Sequence, residues 1–267
     1  MPHLSIITIN RNNATGLKKT IESVISQTYA DFEYIVIDGA STDRSVDVIK
    51  ANEAKITYWI SEPDRGIFNA MNKGIAASKG EYCLFLNSGD WLYNNNSLFS
   101  VHANVNTAQI ISANFIQHIG KRMVKTYFPK KLHKHYFFSN SLPHPSTFIS
   151  RSLFDKIGFY NELHKIVSDW EFFLLAIKKN NSSFKKLSEC ISVYNLEGIS
   201  HNPENSTLII IEREEVMKEN FPEQLSNYHH YLKNKNSAKN QLIKYYYKAT
   251  RFTCRMLGND KEIIREQ

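Results

Sequence analysis

The chain has 267 residues, of which 42% are apolar and 22% are charged, a balance that is ordinary for a globular protein with a sizeable core. Its formal net charge of +7 favours an anionic partner, such as nucleic acid, an anionic membrane surface or a phosphorylated substrate. No run approaches the roughly 20 apolar residues that a membrane-spanning helix needs, so we expect no membrane span.

The cysteines and the amino-terminal sequence predict the compartment. Cys83, Cys190 and Cys254 are odd in number and form no CxxC pair, which favours a reducing environment over a disulfide framework. The opening sequence MPHLSIITINRNN lacks the charged segment that precedes the apolar stretch of a signal peptide. We therefore expect a cytoplasmic protein.

The first ninety residues alternate between strand and helix patterns. Short apolar, β-branched runs predict strands, and between them apolar residues recur at helical spacing. In chain order these are a strand at 4–9, a helix at 16–27, a strand at 32–37, a helix after residues 41–42, a strand at 56–60, a helix at 67–77 and a strand at 82–86. The alternation predicts an α/β fold with a mostly parallel central sheet and helices on both faces.

The pattern loosens after residue 90. The predicted elements there are antiparallel strands at 110–117 and 123–128, a strand at 146–150, helices at 153–157 and 170–179, a strand at 191–195, and helices from 204 onward with a break at Pro222. We predict a first domain at 1–203, with a nucleotide-binding half at 1–90 and an acceptor half at 91–203. A helical, basic extension would occupy 204–267.

Polar residues follow every predicted strand of the first half. They are Asn10 and Arg11, then Asp38, then the segment 62–65, and last the segment 87–90. Because the carboxyl ends of parallel strands meet at one edge of a sheet, and ligands bind there, these residues predict a single site.

Two segments of that edge carry the chemistry. Asn87-Ser88-Gly89-Asp90 offers oxygen ligands suited to Mg²⁺ or Mn²⁺, although these four residues alone favour a turn without an ion. The segment 62–74 places an acid, a guanidinium and two side-chain amides around a helix start, where a diphosphate or ribose could bind. The proximity of the two segments favours the metal interpretation.

The order and spacing of these motifs resemble the inverting family 2 glycosyltransferases of GT-A fold. The matching stretches, from about residue 3 to 201, are SIITINRN, QTYADFEYIVIDGASTD, SEPDRGIFNAMNKGIAASKGEYCLFLNSGD, HPSTFISRSLFDKIGFYNE, SDWEFFL and EGIS. The resemblance implies transfer of a sugar from a nucleotide-sugar donor, by default a UDP-sugar, with inversion. It implies a glycan or lipid-linked acceptor in bacterial surface-polysaccharide assembly.

Residue by residue, the resemblance implies roles at the donor side. Asp90 stands where the family has its Asp-x-Asp metal motif, and Asn87 and Gly89 replace carboxylates that are frequent there. Asp90 would therefore hold Mn²⁺ or Mg²⁺ together with diphosphate oxygens and water. Asp38 would contact the uracil-type base. The donor-binding residues would be Thr8, Asn10, Arg11, Asp38, Asp64, Arg65, Asn69, Asn87 and Ser88.

The acceptor half contributes four further candidates. Asp169 stands where the family has its catalytic base, although it could be an ordinary helix N-terminal acid favoured by the dipole. Glu171 is its rival and an acceptor-site candidate. His144, before Pro145, stands where the family shapes the acceptor cleft. His201 could reach the metal or the diphosphate, although a lone histidine is more often a structural or surface residue.

Two stretches are basic without any acid. Residues 121–136 carry six Lys or Arg, and residues 226–259 carry seven. The second stretch, with the aromatic run 245–247, could be an interfacial helix on anionic lipid. It could equally be a helix that packs on the domain and leaves a solvated basic face.

Three rival functions fit less well. A nicotinamide dehydrogenase would need a glycine-rich turn after the first strand, where Asn10-Arg11-Asn12-Asn13 has no glycine. A sugar nucleotidyltransferase would open with a Gly-rich, basic loop. A non-catalytic nucleic-acid-binding protein could explain the charge, but no zinc spacing, RRM signature or helix-turn-helix is present. We therefore expect no nucleic-acid partner.

Overall fold

The computed structural model describes residues 2–104, 107–120, 122–127, 129, 131–133, 135–195, 198, 200, 202–235 and 263–264. The strands in these ranges are β1 (Leu4–Asn10), β2 (Phe32–Asp38), β3 (Tyr58–Ser61), β4 (Tyr82–Phe85), β5 (Trp91–Leu92), β6 (Ile110–Ile119), β7 (Arg122–Thr126), β8 (Thr147–Ser150), β9 (Phe184–Asn195) and β10 (Ile263–Ile264). The helices are α1 (Ala14–Ile25), α2 (Ser45–Ala51), α3 (Ile67–Ala77), α4 (Phe99–His102), α5 (Ser152–Ile157), α6 (Ser168–Leu174), α7 (Ser206–Asn220) and α8 (Leu225–Lys235).

The first half of the sheet is parallel, as predicted. Its strands lie in the order β4-β1-β2-β3, and every residue of β1 is buried because helices cover both faces. In the register of the sheet, Asn10 lies opposite Asp38, and Asp38 lies opposite Ser61. The carboxyl ends of three strands therefore present their polar residues side by side.

The second half of the sheet is mixed. β8 pairs antiparallel with β4, and β6 pairs antiparallel with β8 and β7 but parallel with β9. β9 begins at Phe184, seven residues before the predicted strand at 191–195. The prediction started too late because the first half of β9 includes half-buried lysines rather than an apolar run. The predicted helix at 170–179 is α6 followed by one wider π-turn at Leu175–Lys179.

Two apolar clusters lie on opposite faces of the sheet. One contains residues of α1 and α2, and the other contains residues of α3, α5, α6, α7 and α8. Val216, Met217, Phe221 and Tyr228 belong to the second cluster, so residues 204–235 pack directly on the domain that precedes them. None of the helices within the described ranges is long and apolar enough to cross a membrane.

Candidate active site

Asp38 is held rigidly at the end of β2. Its Oδ1 accepts hydrogen bonds from Asn10 Nδ2 (2.7 Å) and Ser41 Oγ (2.6 Å), and its Oδ2 accepts from Ser61 Oγ (2.6 Å) and the Ser41 N–H (2.9 Å). Burial alone would raise the pKa of Asp38, but these hydrogen bonds outweigh it and hold the pKa below its usual value. Asn10 Oδ1 is buried and has no hydrogen-bond partner within the described residues, so it is a candidate acceptor for a ligand.

Arg11 and Asp64 lie next to this group. Arg11 Nη1 is 3.9 Å from Asp64 Oδ1, and the Arg11 side chain is 66% exposed, so it remains accessible to a ligand. The Asp64 carboxylate also accepts from the Gly66 N–H (3.0 Å). A Cβ atom at Gly39 would clash with Asp64 Oδ2. Glycine at position 39 therefore lets Asp64 approach the end of β2.

Glu162, which the sequence analysis did not identify, connects the candidate donor-side residues to the second half of the chain. It accepts hydrogen bonds from Arg65 Nη2 (2.6 Å), Asn69 Nδ2 (3.0 Å) and Asn72 Nδ2 (3.1 Å). Burial would raise the pKa of Glu162, but these three donors keep it below its usual value. Glu162 is about ninety residues away in sequence from the asparagines, so only the fold could reveal the contact.

The loop at 87–90 is shaped by Thr20 of α1, another residue that sequence reasoning missed. Thr20 Oγ1 donates to the Asp90 carbonyl (2.6 Å) and accepts from the Gly89 N–H (3.0 Å). Gly89 has φ of 101°, a backbone conformation that favours glycine. Asp90 is buried, and its Oδ1 accepts a hydrogen bond from the Asn195 N–H (2.9 Å). The loop is therefore fixed from both sides.

His144 lies between the loop at 87–90 and Asp169. Its Nε2 is 3.7 Å from Asp90 Oδ2 and 3.3 Å from Asn87 Nδ2, and its Nδ1 is 3.8 Å from Asp169 Oδ2. The ring packs edge-to-face against Tyr194, with 5.6 Å between the ring centroids. One imidazole thus faces both the metal-ligand candidate and the base candidate.

Asp169 lies in the first turn of α6, whose next residue, Trp170, is fully buried and donates its indole N–H to the Phe137 carbonyl (2.8 Å). The Asp169 side chain is 20% exposed, and its Oδ1 accepts from the Trp170 N–H (2.8 Å). Burial raises the pKa of Asp169, and the charges of His144 and Arg213 and the Trp170 N–H offset part of that rise. A higher pKa makes the carboxylate a stronger base.

Two open cavities meet at His144 and Tyr194. The first, of about 610 Å³, is lined by the start of α1 and by the loop at 87–90. The second, of about 570 Å³, is lined by Asp169, Trp170 and Arg213. Molecules bound in the two cavities would therefore meet beside the imidazole.

Other predicted residues lie apart from this group. Glu171 pairs with His164, with 3.4 Å between Oε2 and Nε2, and does not line the cavity that Asp169 lines. Burial raises the pKa of Glu171, and His164 offsets part of the rise. Thr8 is fully buried and donates to the Leu86 carbonyl (2.8 Å), so it supports the sheet. His201 lies outside the described residues.

The loop offers a partial ligand set for a divalent cation. Asp90 supplies a carboxylate, and the buried Oδ1 of Asn87 has no hydrogen-bond partner. Within the part of the chain that the structure describes, no three His, Cys, Asp or Glu side chains form a complete metal site. The residues present therefore fit a hard cation that takes its remaining ligands from diphosphate oxygens and water.

Sequence comparison identifies the family. The profile of glycosyl transferase family 2 matches residues 5–158. The chain belongs to glycosyl transferase family 2. This glycosyltransferase is 34% identical over 180 residues to an uncharacterized glycosyltransferase of Mycobacterium tuberculosis, covering 66% of this chain and 69% of the relative. It is 29% identical over 178 residues to a PGL/p-HBAD biosynthesis glycosyltransferase of Mycobacterium bovis, covering 64% and 68%.

Solved structures share the fold of this family 2 chain. S. aureus TarS 1-349 in complex with UDP-GlcNAc superposes with a TM-score of 0.61 at 18% identity, covering 74% of this chain and 60% of that chain. A mannosyltransferase from Pyrobaculum calidifontis in complex with GDP-Man and Mn²⁺ superposes with a TM-score of 0.58 at 12% identity, covering 94% and 81%. The predicted family and fold class are confirmed.

Proposed function

We propose that this chain transfers a sugar from a UDP-sugar to a hydroxyl of a glycan or lipid-linked acceptor, with inversion, in the assembly of a surface polysaccharide or glycolipid. The observation that carries the proposal is the position of His144, whose two ring nitrogens face Asp90 (3.7 Å) and Asp169 (3.8 Å) where two cavities meet. In this proposal Asp90 is the donor-side acid and Asp169 the acceptor-side base, and the imidazole lies between them. The UDP-GlcNAc bound to TarS supports the choice of donor.

The donor would lie along the carboxyl edge of the parallel strands. Asn10 offers a buried, unpartnered Oδ1 to the nucleoside, and Asp38 holds the Asn10 amide in place. Asp64 anchors the exposed Arg11 guanidinium at 3.9 Å, where it can reach a phosphate. Asp90 and Asn87 would hold Mn²⁺ or Mg²⁺, which stabilises the negative charge of the departing diphosphate as a Lewis acid.

Asp169 would act as the general base. The acceptor oxygen attacks the anomeric carbon as the bond from that carbon to the diphosphate oxygen breaks, and the hydroxyl proton passes to Asp169 Oδ2. A single displacement of this kind inverts the anomeric configuration because the acceptor attacks from the face opposite the leaving group. The raised pKa of Asp169 makes it a better proton acceptor, and the imidazole of His144 separates its charge from that of Asp90.

The tail would bring the enzyme to its acceptor. We propose that the domain at 1–203 carries the chemistry and that the basic stretch at 226–259 associates with an anionic membrane surface from the cytoplasmic side. Of that stretch, the structure describes only the residues up to 235. A lipid-linked acceptor would explain why seven basic residues occur there without an acid.

Screening a panel of nucleotide sugars tests the proposal. Incubation with Mn²⁺ should release UDP from one or more UDP-sugars, and proton NMR of the product formed with an added acceptor should report the anomeric configuration. We expect UDP-sugars to be turned over in preference to GDP-sugars, with inversion. Preference for a GDP-sugar would contradict the donor assignment, and a retained configuration would contradict the role of Asp169.

A further inference from the structure

Arg213 of α7 is a partly buried cation that lines the cavity of Asp169. Its guanidinium lies over the Trp170 ring, with 4.8 Å between Cζ and the ring centroid. Its Nε is buried without a hydrogen-bond partner. Among the residues that the structure describes, Arg213 has no ion pair with a carboxylate, and its charge interaction with Asp169 acts at longer range.

A partly buried guanidinium without an ion pair lowers the stability of the fold. Burying a charge without a partner loses hydration that protein contacts must replace, and burial lowers the pKa of Arg213 accordingly. The guanidinium nonetheless stays protonated at ordinary pH. The contact with Trp170 offsets only part of the cost. A ligand anion would supply the missing partner.

The position of Arg213 relative to Asp169 is fixed by the neighbouring residue of α7. Glu212 accepts hydrogen bonds from the N–H groups of Lys165 (2.7 Å), Ile166 (3.0 Å) and Val167 (3.2 Å), which directly precede α6. These bonds join α7 to the segment that leads into Asp169. Arg213 is therefore presented to the cavity at a defined place beside the base, as a specificity-determining residue must be.

We propose that Arg213 binds an anionic group, a phosphate or a carboxylate, on the acceptor, close to the hydroxyl that Asp169 deprotonates. This inference rests on the proposed function, because it takes the cavity of about 570 Å³ as the acceptor site. The planar fork of arginine matches both kinds of anion bidentately. The acceptor class is then a glycan that carries a sugar phosphate or a uronic acid, or a lipid-linked sugar phosphate.

Calorimetric titration of the protein saturated with UDP and Mg²⁺ tests this inference. UDP and Mg²⁺ fill the donor site and leave the second cavity open, and methyl phosphate and acetate are then added separately at constant ionic strength. We expect wild-type protein to bind at least one of the two anions, and the preferred anion identifies the group. Arg213→Gln should weaken that binding by about tenfold or more, because a charge-assisted hydrogen bond is lost.

The matched control is Lys218→Gln, which removes the same charge from α7 at an exposed site paired with Glu214 (3.0 Å). Lys218→Gln should bind the anion as wild type does, and Arg213→Gln should keep its UDP affinity and melt at a temperature no lower than that of wild type. Absence of anion binding in wild type, equal binding in Arg213→Gln, or failure of Arg213→Gln to fold would overturn the inference. Failure of wild type to bind UDP would instead contradict the proposed function.

Discussion

Nδ1 of His144 lies 3.8 Å from Oδ2 of Asp169. The other nitrogen of the same ring lies 3.7 Å from Asp90 Oδ2, so one imidazole separates the two carboxylates on which the proposed reaction depends. The three residues come from different parts of the chain: the loop after β4, the turn before β8 and the first turn of α6. Their convergence places both carboxylates within 3.8 Å of one imidazole, as the proposed reaction requires.

Asp90→Asn should abolish most of the metal-dependent affinity for UDP. The asparagine can still accept the hydrogen bond from the Asn195 N–H (2.9 Å in the wild type), so the loop should keep its shape while it loses its carboxylate. Calorimetric titration of UDP with and without Mn²⁺ measures the effect. Asp47→Ala, on the exposed face of α2, is the control. Equal Mn²⁺ dependence in Asp90→Asn and wild type would contradict the metal assignment.

The pH dependence of activity should report the raised pKa of Asp169. A general base must be ionised, so kcat/KM should fall as the pH is lowered through that pKa. Because burial raises the pKa, the acid limb should lie above the value of about 3.9 that an unperturbed aspartate shows. The pH profile of kcat/KM checks this. An acid limb at or below the ordinary aspartate value would contradict it.

The same shift has a consequence for stability. A carboxyl whose pKa is raised in the folded state stabilises the fold most at pH values below its unfolded pKa. That contribution to the free energy of unfolding is lost as the pH rises through the folded pKa. Asp169→Asn does not ionise, so the variant does not lose this stability as the pH rises. The melting temperature of Asp169→Asn relative to wild type should therefore rise between acidic and neutral pH. A difference that stays constant with pH would show that the pKa is not raised.

Glu212→Gln should destabilise the fold and impair transfer together. The buried carboxylate accepts three backbone hydrogen bonds, and the amide that replaces one oxygen would face N–H groups it cannot accept from. We expect a loss of about 2–4 kcal/mol in the free energy of unfolding, and a lower kcat because the segment before Asp169 is released. Denaturant unfolding and steady-state kinetics measure both. Glu214→Gln, at a partly exposed carboxylate that pairs with Lys218 and His229, is the control and should change stability by less than about 1 kcal/mol.

Removal of the residues after 235 should weaken binding to anionic vesicles. Five of the seven basic residues of the stretch 226–259 lie after residue 235, and each contributes about 1 kcal/mol near an anionic bilayer. Sedimentation with vesicles of anionic and of neutral lipid, in low and high salt, compares the full chain with a chain that ends at residue 235. Equal vesicle binding by both chains, or binding that salt does not reduce, would contradict the membrane proposal.

The donor side of the site was predictable because its signals are local. Each of the first strands is a buried apolar run that ends in polar residues, and parallel pairing brings those ends together, as for Asn10 and Asp38. The residue types of Gly89 and its neighbours predict a sharp turn. Local pattern and topology together therefore located Asp38 and the loop at 87–90.

The acceptor side was less predictable because its contacts join distant segments. Nothing near Glu162 or Arg213 in sequence indicates that they meet Asn69 or Trp170, since these pairs depend on how α7 and the loop before α6 pack. The sequence did not predict the first half of β9 because its lysines interrupt the apolar pattern of a strand. Sequence placed Glu171 close to Asp169, but residues two apart in one helical turn point to different sides of α6, so the two side chains meet different partners.

The role of Asp169 is tested most directly by transfer kinetics of Asp169→Asn. The variant keeps the shape of the side chain but cannot accept the proton of the acceptor hydroxyl. We predict a fall in kcat of about 10²–10⁴-fold, equivalent to about 3–5 kcal/mol of transition-state stabilisation, with UDP affinity unchanged. Glu171→Gln, whose side chain pairs with His164, should retain activity. Near-wild-type transfer by Asp169→Asn, with Glu171→Gln inactive, would contradict the account and make Glu171 the base.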